Sequence, residues 1–254
     1  MLSIAHVSDT HFGGRASAAG RTRRVLDHLL AMDPPVDVLL VTGDIADHGA
    51  PEEYAEAERV LGSWPGPAPM LVLPGNHDVR TAYAAWRGVP GDTGPLHRAH
   101  RVAGALFVLL DSMVPAPPGE RIDHGELDEA GLAWLEARLA EREPGEAAYV
   151  CLHHPPVDVH QSRMDEIRLR DPDAGRLAEV LRGHRDVRAV LCGHVHSACA
   201  TTFAGLPLLA GGGVASTVTL DAEDLPFITT LLPPTFAIHR VGDDGHLVTH
   251  WRAV

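Results

Sequence analysis

Short, nearly continuous apolar runs recur along the chain at residues 2–7, 36–41, 70–73, 105–110, 147–152 and 187–192, each closed by a polar or glycine-bearing turn. Runs of this length, rich in Val, Leu and Ile and lacking polar alternation, predict strands covered on both faces. Between them the apolar positions change to helical spacing, which predicts helices over 18–32, 51–61, 128–143 and 173–182. Pro51 suits a first helical position, and Glu52 and Glu53 suit the positive end of a helix.

After His196 the rhythm changes. Runs at 207–210, 235–240 and 246–251 have no helices between them and read as antiparallel strands. The expectation is one α/β (α+β) domain over 1–254, with a core at 1–200 and C-terminal strands at 201–254. The apolar segment 225–232, ahead of Pro233, is unusual for a loop and reads as a lid or a subunit contact, which makes a homodimer reasonable. Residues 114–119, with three prolines, read as a surface loop.

Composition narrows the class. An apolar fraction of 45% with 22% charged residues excludes a disordered chain. The net charge of −13 argues against a nucleic-acid polymer as partner, because gripping that backbone needs clustered Lys and Arg. The three cysteines, Cys151, Cys192 and Cys199, form no CxxC pair and predict reduced thiols. No run nears the roughly 20 apolar residues of a membrane span. Met1 leads straight into the first strand-like run, so no signal peptide is expected and a cytoplasmic location fits.

Five of the predicted strands end in residues that ligate metals. These ends are Asp9-Thr10-His11, Gly43-Asp44-Ile45-Ala46-Asp47, Gly75-Asn76-His77-Asp78, His153-His154-Pro155-Pro156 and Gly193-His194-Val195-His196. In an open α/β sheet the carboxyl ends of the strands border the ligand crevice, so these turns are expected to converge. A donor set of Asp, Asn and His suits Mn, Fe or Zn better than Ca or Mg. Each motif alone is weak evidence; their joint occurrence, in order and each after a strand-like run, carries the inference.

That ordered set resembles the calcineurin-like metallophosphoesterases, and within them the bacterial class III cyclic nucleotide phosphodiesterases and their glycerophosphodiesterase relatives. The resemblance implies a four-layer αββα sandwich of two mixed sheets flanked by helices. It implies one metal held by Asp9, His11, Asp44 and His196, a second held by Asp44, Asn76, His153 and His194, and a bridging hydroxide as nucleophile. Two divalent ions with two carboxylates and a hydroxide leave about one positive charge, which matches a phosphodiester monoanion. His77 is then the residue that contacts the phosphate and protonates the leaving oxygen, with Asp78 orienting its imidazole. Asn76, His77, His196 and His154 are the expected substrate contacts, His154 having structural packing as its other reading. Asp47 serves either a ligand or the following helix. The implied substrate is a 3′,5′-cyclic nucleotide such as cAMP. Glycerophosphodiesters and phosphomonoesters are rivals, and a protein-binding scaffold on this fold would be expected to have lost ligands that are all present here.

Overall fold

In the computed structural model, which describes residues 1–89, 94–117 and 119–254, the apolar runs become strands whose alternate side chains serve different cores. In chain order the first part is β1 (Leu2–Val7), α1 (Ala18–Leu30), β2 (Val38–Thr42), α2 (Pro51–Leu61), β3 (Met70–Leu73) and α3 (Arg80–Arg87). Next come β4 (Arg98–Val102), β5 (Ala105–Leu109), α4 (Glu129–Ala140), β6 (Ala148–Cys151), α5 (Ser162–Asp165), α6 (Asp171–Arg182) and β7 (Val187–Cys192). The chain closes with β8 (Ala200–Phe203), β9 (Leu206–Ala210), β10 (Thr217–Val218), β11 (Ile228–Thr229), β12 (Thr235–Val241) and β13 (Leu247–Ala253).

The strands form two mixed sheets, ordered β13-β12-β1-β2-β3 and β4-β5-β6-β7-β9-β8. Each has a parallel centre, β1-β2-β3 or β5-β6-β7-β9, and antiparallel additions at its edges. Period-two alternation explains the layers. Along β1 and β2, Ala5, Val7, Leu39 and Val41 face α1 and α2, where Val25, Leu29, Tyr54 and Leu61 complete one core. Ile4, Val38 and Leu40 face the other way and meet Phe107, Tyr149, Ala189 and Leu191 of the second sheet. The outer face of that sheet packs on Leu135 and Leu139 of α4 and Leu177 and Leu181 of α6. Helix, sheet, sheet, helix is therefore the layering. Among the described residues no helix is long and apolar enough to cross a membrane.

Several predicted features change in detail. Helix α4 begins one residue late because Asp128 is its cap, accepting a hydrogen bond from the Gly131 amide at 2.7 Å. The C-terminal strands are not all antiparallel: β9 runs parallel to β7, since β8 has already reversed the chain at the sheet edge. Segment 225–232 contributes the short β11 to a two-stranded ribbon with β10 and leaves Leu225 and Leu231 exposed. It is tied down from below: buried Arg21 on α1 donates to the carbonyl oxygens of Val214, Thr230 and Leu232. His239 is fully buried, bonded to His6 and Thr249. Pro118 of the predicted 114–119 loop lies outside the described residues.

Candidate metal centre

The five turns meet across the two sheets. Those after β1, β2 and β3 bring Asp9, His11, Asp44 and Asn76 from the first sheet; those after β6 and β7 bring His153, His194 and His196 from the second. To turn side chains back toward one point, the backbone enters the left-handed region at Asp9 (φ 57°), His11 (41°), Asp44 (51°), His194 (71°) and His196 (48°). Such conformations cost on the order of 1 kcal/mol or more each in residues with a Cβ, and they persist only where the surroundings enforce them. Gly43 (φ 95°) lies so near His153 and the Gly75 amide that a Cβ there would clash with both, which accounts for the glycine ahead of Asp44. The 211–213 glycine turn is packed hard on the site: a Cβ on Gly213 would lie 2.9 Å from the His196 backbone.

Asp9, His11, Asp44 and His196 form one cluster with ligand atoms all within 4.8 Å of one another. The Nε2 atoms of His11 and His196 face each other at 3.1 Å, with Asp44 Oδ2 3.3 Å from the first and Asp9 Oδ1 3.5 Å from the second. In the second cluster His153 Nε2 lies 3.1 Å from Asn76 Oδ1, 3.2 Å from His194 Nδ1 and 3.4 Å from Asp44 Oδ1. The two Asp44 oxygens thus divide between the clusters.

The far sides of these rings decide what the near sides carry. His11 Nδ1 lies 2.8 Å from Asp47 Oδ1, His153 Nδ1 lies 2.7 Å from the Thr42 carbonyl oxygen, and His196 Nδ1 faces the Ser216 carbonyl and hydroxyl oxygens. With a proton on each Nδ1, the three Nε2 atoms present lone pairs into pockets lined by carboxylate and amide oxygens. Asp9 Oδ2 is also buried without a hydrogen-bond partner. The His77 and His194 amides donate to Asp44 Oδ1 and Asp9 Oδ1, but the converging side-chain atoms are mostly acceptors, which is the chemistry of a cation site, and the residues fit two metal ions. Without metal, protons fill the same need. Burial depresses His153, but Asp44 outweighs it and holds the imidazole up to about 9. His11 is likewise raised, since Asp47, Asp44 and Asp9 overcome its burial. Asp44 lies well below its usual range, because His153, His77 and His11 together overcome its burial.

The predicted catalytic residues separate. His77 stands beside the first cluster, its ring 4.5 Å from that of His11, and its Nδ1 lies 2.7 Å from the Asp47 carbonyl oxygen. Burial lowers its pKa. Asp78 makes no hydrogen bond to His77, contrary to expectation. Its carboxylate turns inward to accept the amides of Ile45, Ala46 and Gly75 and the Tyr54 hydroxyl, and so pins the Asp44 loop to the Asn76 loop. Burial, with Asp44 nearby, pushes Asp78 up to about 6, while the three amides keep it from rising further. His154 is also redirected. It lies within ligand distance of His153 and His194, but its Nδ1 meets the Ser112 hydroxyl at 2.8 Å and its Nε2 the Asp123 carbonyl at 3.1 Å. Fully buried with both nitrogens engaged, it packs beside the second cluster.

Of the two readings of Asp47 the first is the one seen: its side chain orients His11, and its carbonyl oxygen also accepts from His77. Arg121 and Asp123 had no motif to announce them. Asp123 accepts from the Asn76 amide nitrogen at 3.3 Å and pairs with Arg121, whose Nη1 lies 3.0 Å from His77 Nδ1. Asn76, His77 and Arg121 border a cavity of about 800 Å³ between His77 and the 113–122 loop, well within the size range of small-molecule sites. A second cavity of about 390 Å³ lies on the other side of Met113, beside His97 and Asp173, without any of the clustered ligands.

The profile of the calcineurin-like phosphoesterase family matches residues 2–198. The chain belongs to the calcineurin-like phosphoesterase family. It is 34% identical over 229 residues to a probable cyclic nucleotide phosphodiesterase of Rhodococcus erythropolis, covering 87% of this chain and 73% of that one. Over 267 residues it is 27% identical to the glycerophosphodiester phosphodiesterase GpdQ of Enterobacter lignolyticus, covering 98% and 92% of the two chains. A dimetal phosphatase from Danio rerio has the same fold, with a TM-score of 0.75 at 16% identity over 99% of this chain and 96% of that one. By family, and by the phosphodiesterases among its relatives, the protein is a phosphoric ester hydrolase.

Proposed function

We propose that this phosphoesterase is a cytoplasmic dinuclear phosphodiesterase that hydrolyses a small phosphodiester, with 3′,5′-cyclic AMP the first substrate to test. The observation that carries the reading is the pair of acceptor clusters sharing Asp44, open beside His77 to a cavity of about 800 Å³. The donor set favours Mn or Fe, with Zn also compatible. Bound there, two such ions supply Lewis acidity toward the phosphoryl oxygens and a nucleophilic oxygen at neutral pH.

The chain's own groups do the rest. Asp9, His11, Asp44 and His196 hold one ion, and Asp44, Asn76, His153 and His194 the other. Asp47 fixes the His11 ring. His77 keeps the Nδ1 proton on the Asp47 carbonyl, so a second proton on Nε2 makes an imidazolium whose acidity burial increases. That proton goes to the leaving oxygen. The family membership and the cyclic nucleotide phosphodiesterase of R. erythropolis support this choice of substrate. The likeness to GpdQ along almost the whole chain favours glycerophosphodiesters as the second candidate.

Metal analysis together with kcat/KM for cyclic AMP, glycerophosphocholine, bis(p-nitrophenyl) phosphate and p-nitrophenyl phosphate tests the reading. Two metals per chain and a preference for cyclic AMP support it. Preference for the monoester would overturn the diester assignment, and no turnover by a folded, metal-loaded chain would overturn the enzyme.

A further inference from the structure

Arg121 stands on the cavity side of His77 with an unusual set of neighbours. Its Nε is paired with Asp123, while its Nη1 lies 3.0 Å from His77 Nδ1. That nitrogen already faces the Asp47 carbonyl oxygen at 2.7 Å, and a carbonyl only accepts. The His77 Nδ1 proton is thereby committed, and the nitrogen has no lone pair for the guanidinium. Arg121 is held donor to donor against His77, and Nη2 has no hydrogen bond among the described residues. A guanidinium with spare donors, its side chain 44% exposed, thus borders the cavity one ring away from the metal clusters.

We propose that Arg121 is a substrate-contacting specificity residue that donates to an oxygen of the leaving-group half of the phosphodiester, a ribose-like group. The assignment rests on the phosphodiesterase reading of the site. His77 marks where the leaving oxygen sits, so whatever that oxygen is attached to extends past His77 into the cavity, toward Arg121. The same cavity is lined by Val79, Met113, Val114 and Ile122, apolar side chains that suit the flat face of a base. A simple surface ion pair with Asp123 would instead affect no substrate selectively.

The test compares full-length, metal-loaded wild type with Arg121→Ala and Arg121→Lys on 3′,5′-cyclic AMP and bis(p-nitrophenyl) phosphate, whose leaving group has no hydroxyl oxygen. One charged hydrogen bond predicts a loss of about 10- to 100-fold in kcat/KM on cyclic AMP, mostly in KM. The ratio of the two substrates' kcat/KM should fall about 10-fold or more, with metal content unchanged, 5′-AMP binding weakened in calorimetry, and Arg121→Lys only partly restored for want of the planar fork. Equal losses on both substrates, or lost metal, would overturn the assignment in favour of a role through His77 or Asn76. A wild type that cleaves bis(p-nitrophenyl) phosphate but no cyclic nucleotide also overturns it, yet leaves the phosphodiesterase reading standing. A wild type that cleaves neither overturns that reading itself.

Discussion

Replacing Asp78 with Asn changes one atom of a buried carboxylate, and its hydrogen bonds predict the outcome. Oδ1 accepts from the Ala46 amide at 3.0 Å and the Tyr54 hydroxyl at 2.9 Å; Oδ2 accepts from the Ile45 and Gly75 amides at 3.1 and 2.9 Å. The Asn oxygen keeps one pair, and its NH₂ group then faces the other pair donor to donor. A buried donor left unpaired costs about 1–3 kcal/mol, so one or two of them destabilise the chain by about 2–4 kcal/mol. Against a typical total of about 5–15 kcal/mol this is a large fraction, and the alanine variant, losing all four bonds, is expected not to fold. Urea unfolding of metal-free protein should show the midpoint of Asp78→Asn falling at unchanged slope. A titration should then show weaker metal binding, because the two loops it joins carry Asp44 and Asn76. A variant with wild-type stability and full metal content but reduced kcat would refute this account and restore Asp78 as the group that orients His77.

Five further outcomes are expected. Asp44→Ala should lose metal from both clusters together, measured by elemental analysis; loss of only one ion would show that Asp44 does not bridge. His77→Ala should keep its metal while kcat drops about 100-fold or more, the usual size of a general-acid contribution. Metal-free protein should release at least one proton per chain on metal uptake at pH 7, because His153, held up to about 9, must give up its proton to ligate, and the raised His11 adds to the release. Calorimetry in buffers of different ionisation enthalpy reads this directly. The same raised value adds stability to the metal-free protein that is complete below the ordinary histidine value of 6.5 and is lost as pH rises through about 9, which unfolding midpoints across that window should show. Arg21→Ala should free the carbonyl oxygens of Val214, Thr230 and Leu232, and limited proteolysis should then cut within 219–233 much faster than in wild type.

The residues of the two clusters were legible in the sequence because a site of this kind makes local demands that leave motifs: a donor side chain at a strand end, a glycine where the next loop comes within contact distance, and a fixed order along the chain. The central strands were legible for a related reason, since covering on both faces demands uninterrupted apolar runs. Asp78 shows where local reading stops. Its neighbour in sequence is His77, but its partners Ile45, Ala46 and Tyr54 lie more than twenty residues away, and only the packing of α2 over β2 and β3 brings them to it. The partners of His154 were equally hidden, since Ser112 and Asp123 lie about forty and thirty residues from it in sequence. Arg121 occupies a proline-bearing loop without periodicity, so nothing local tied it to the His77 side of the site. Helix α3 escaped notice because eight residues give barely two turns of pattern.

The layer between the two sheets has a meaning beyond cohesion. Ile4, Val38 and Leu40 on one side and Phe107, Tyr149 and Leu191 on the other form a solid whose thickness is fixed by side-chain volume, because protein interiors are close-packed. The first sheet carries Asp9, His11, Asp44 and Asn76 on one jaw of a caliper, and the second carries His153, His194 and His196 on the other. The stacked rings of Phe107 and Tyr149, 5.1 Å apart, therefore belong to the shim that sets the opening. Trimming or enlarging that shim changes the gap between the jaws, so selection for a particular ion spacing reaches residues that no substrate ever touches.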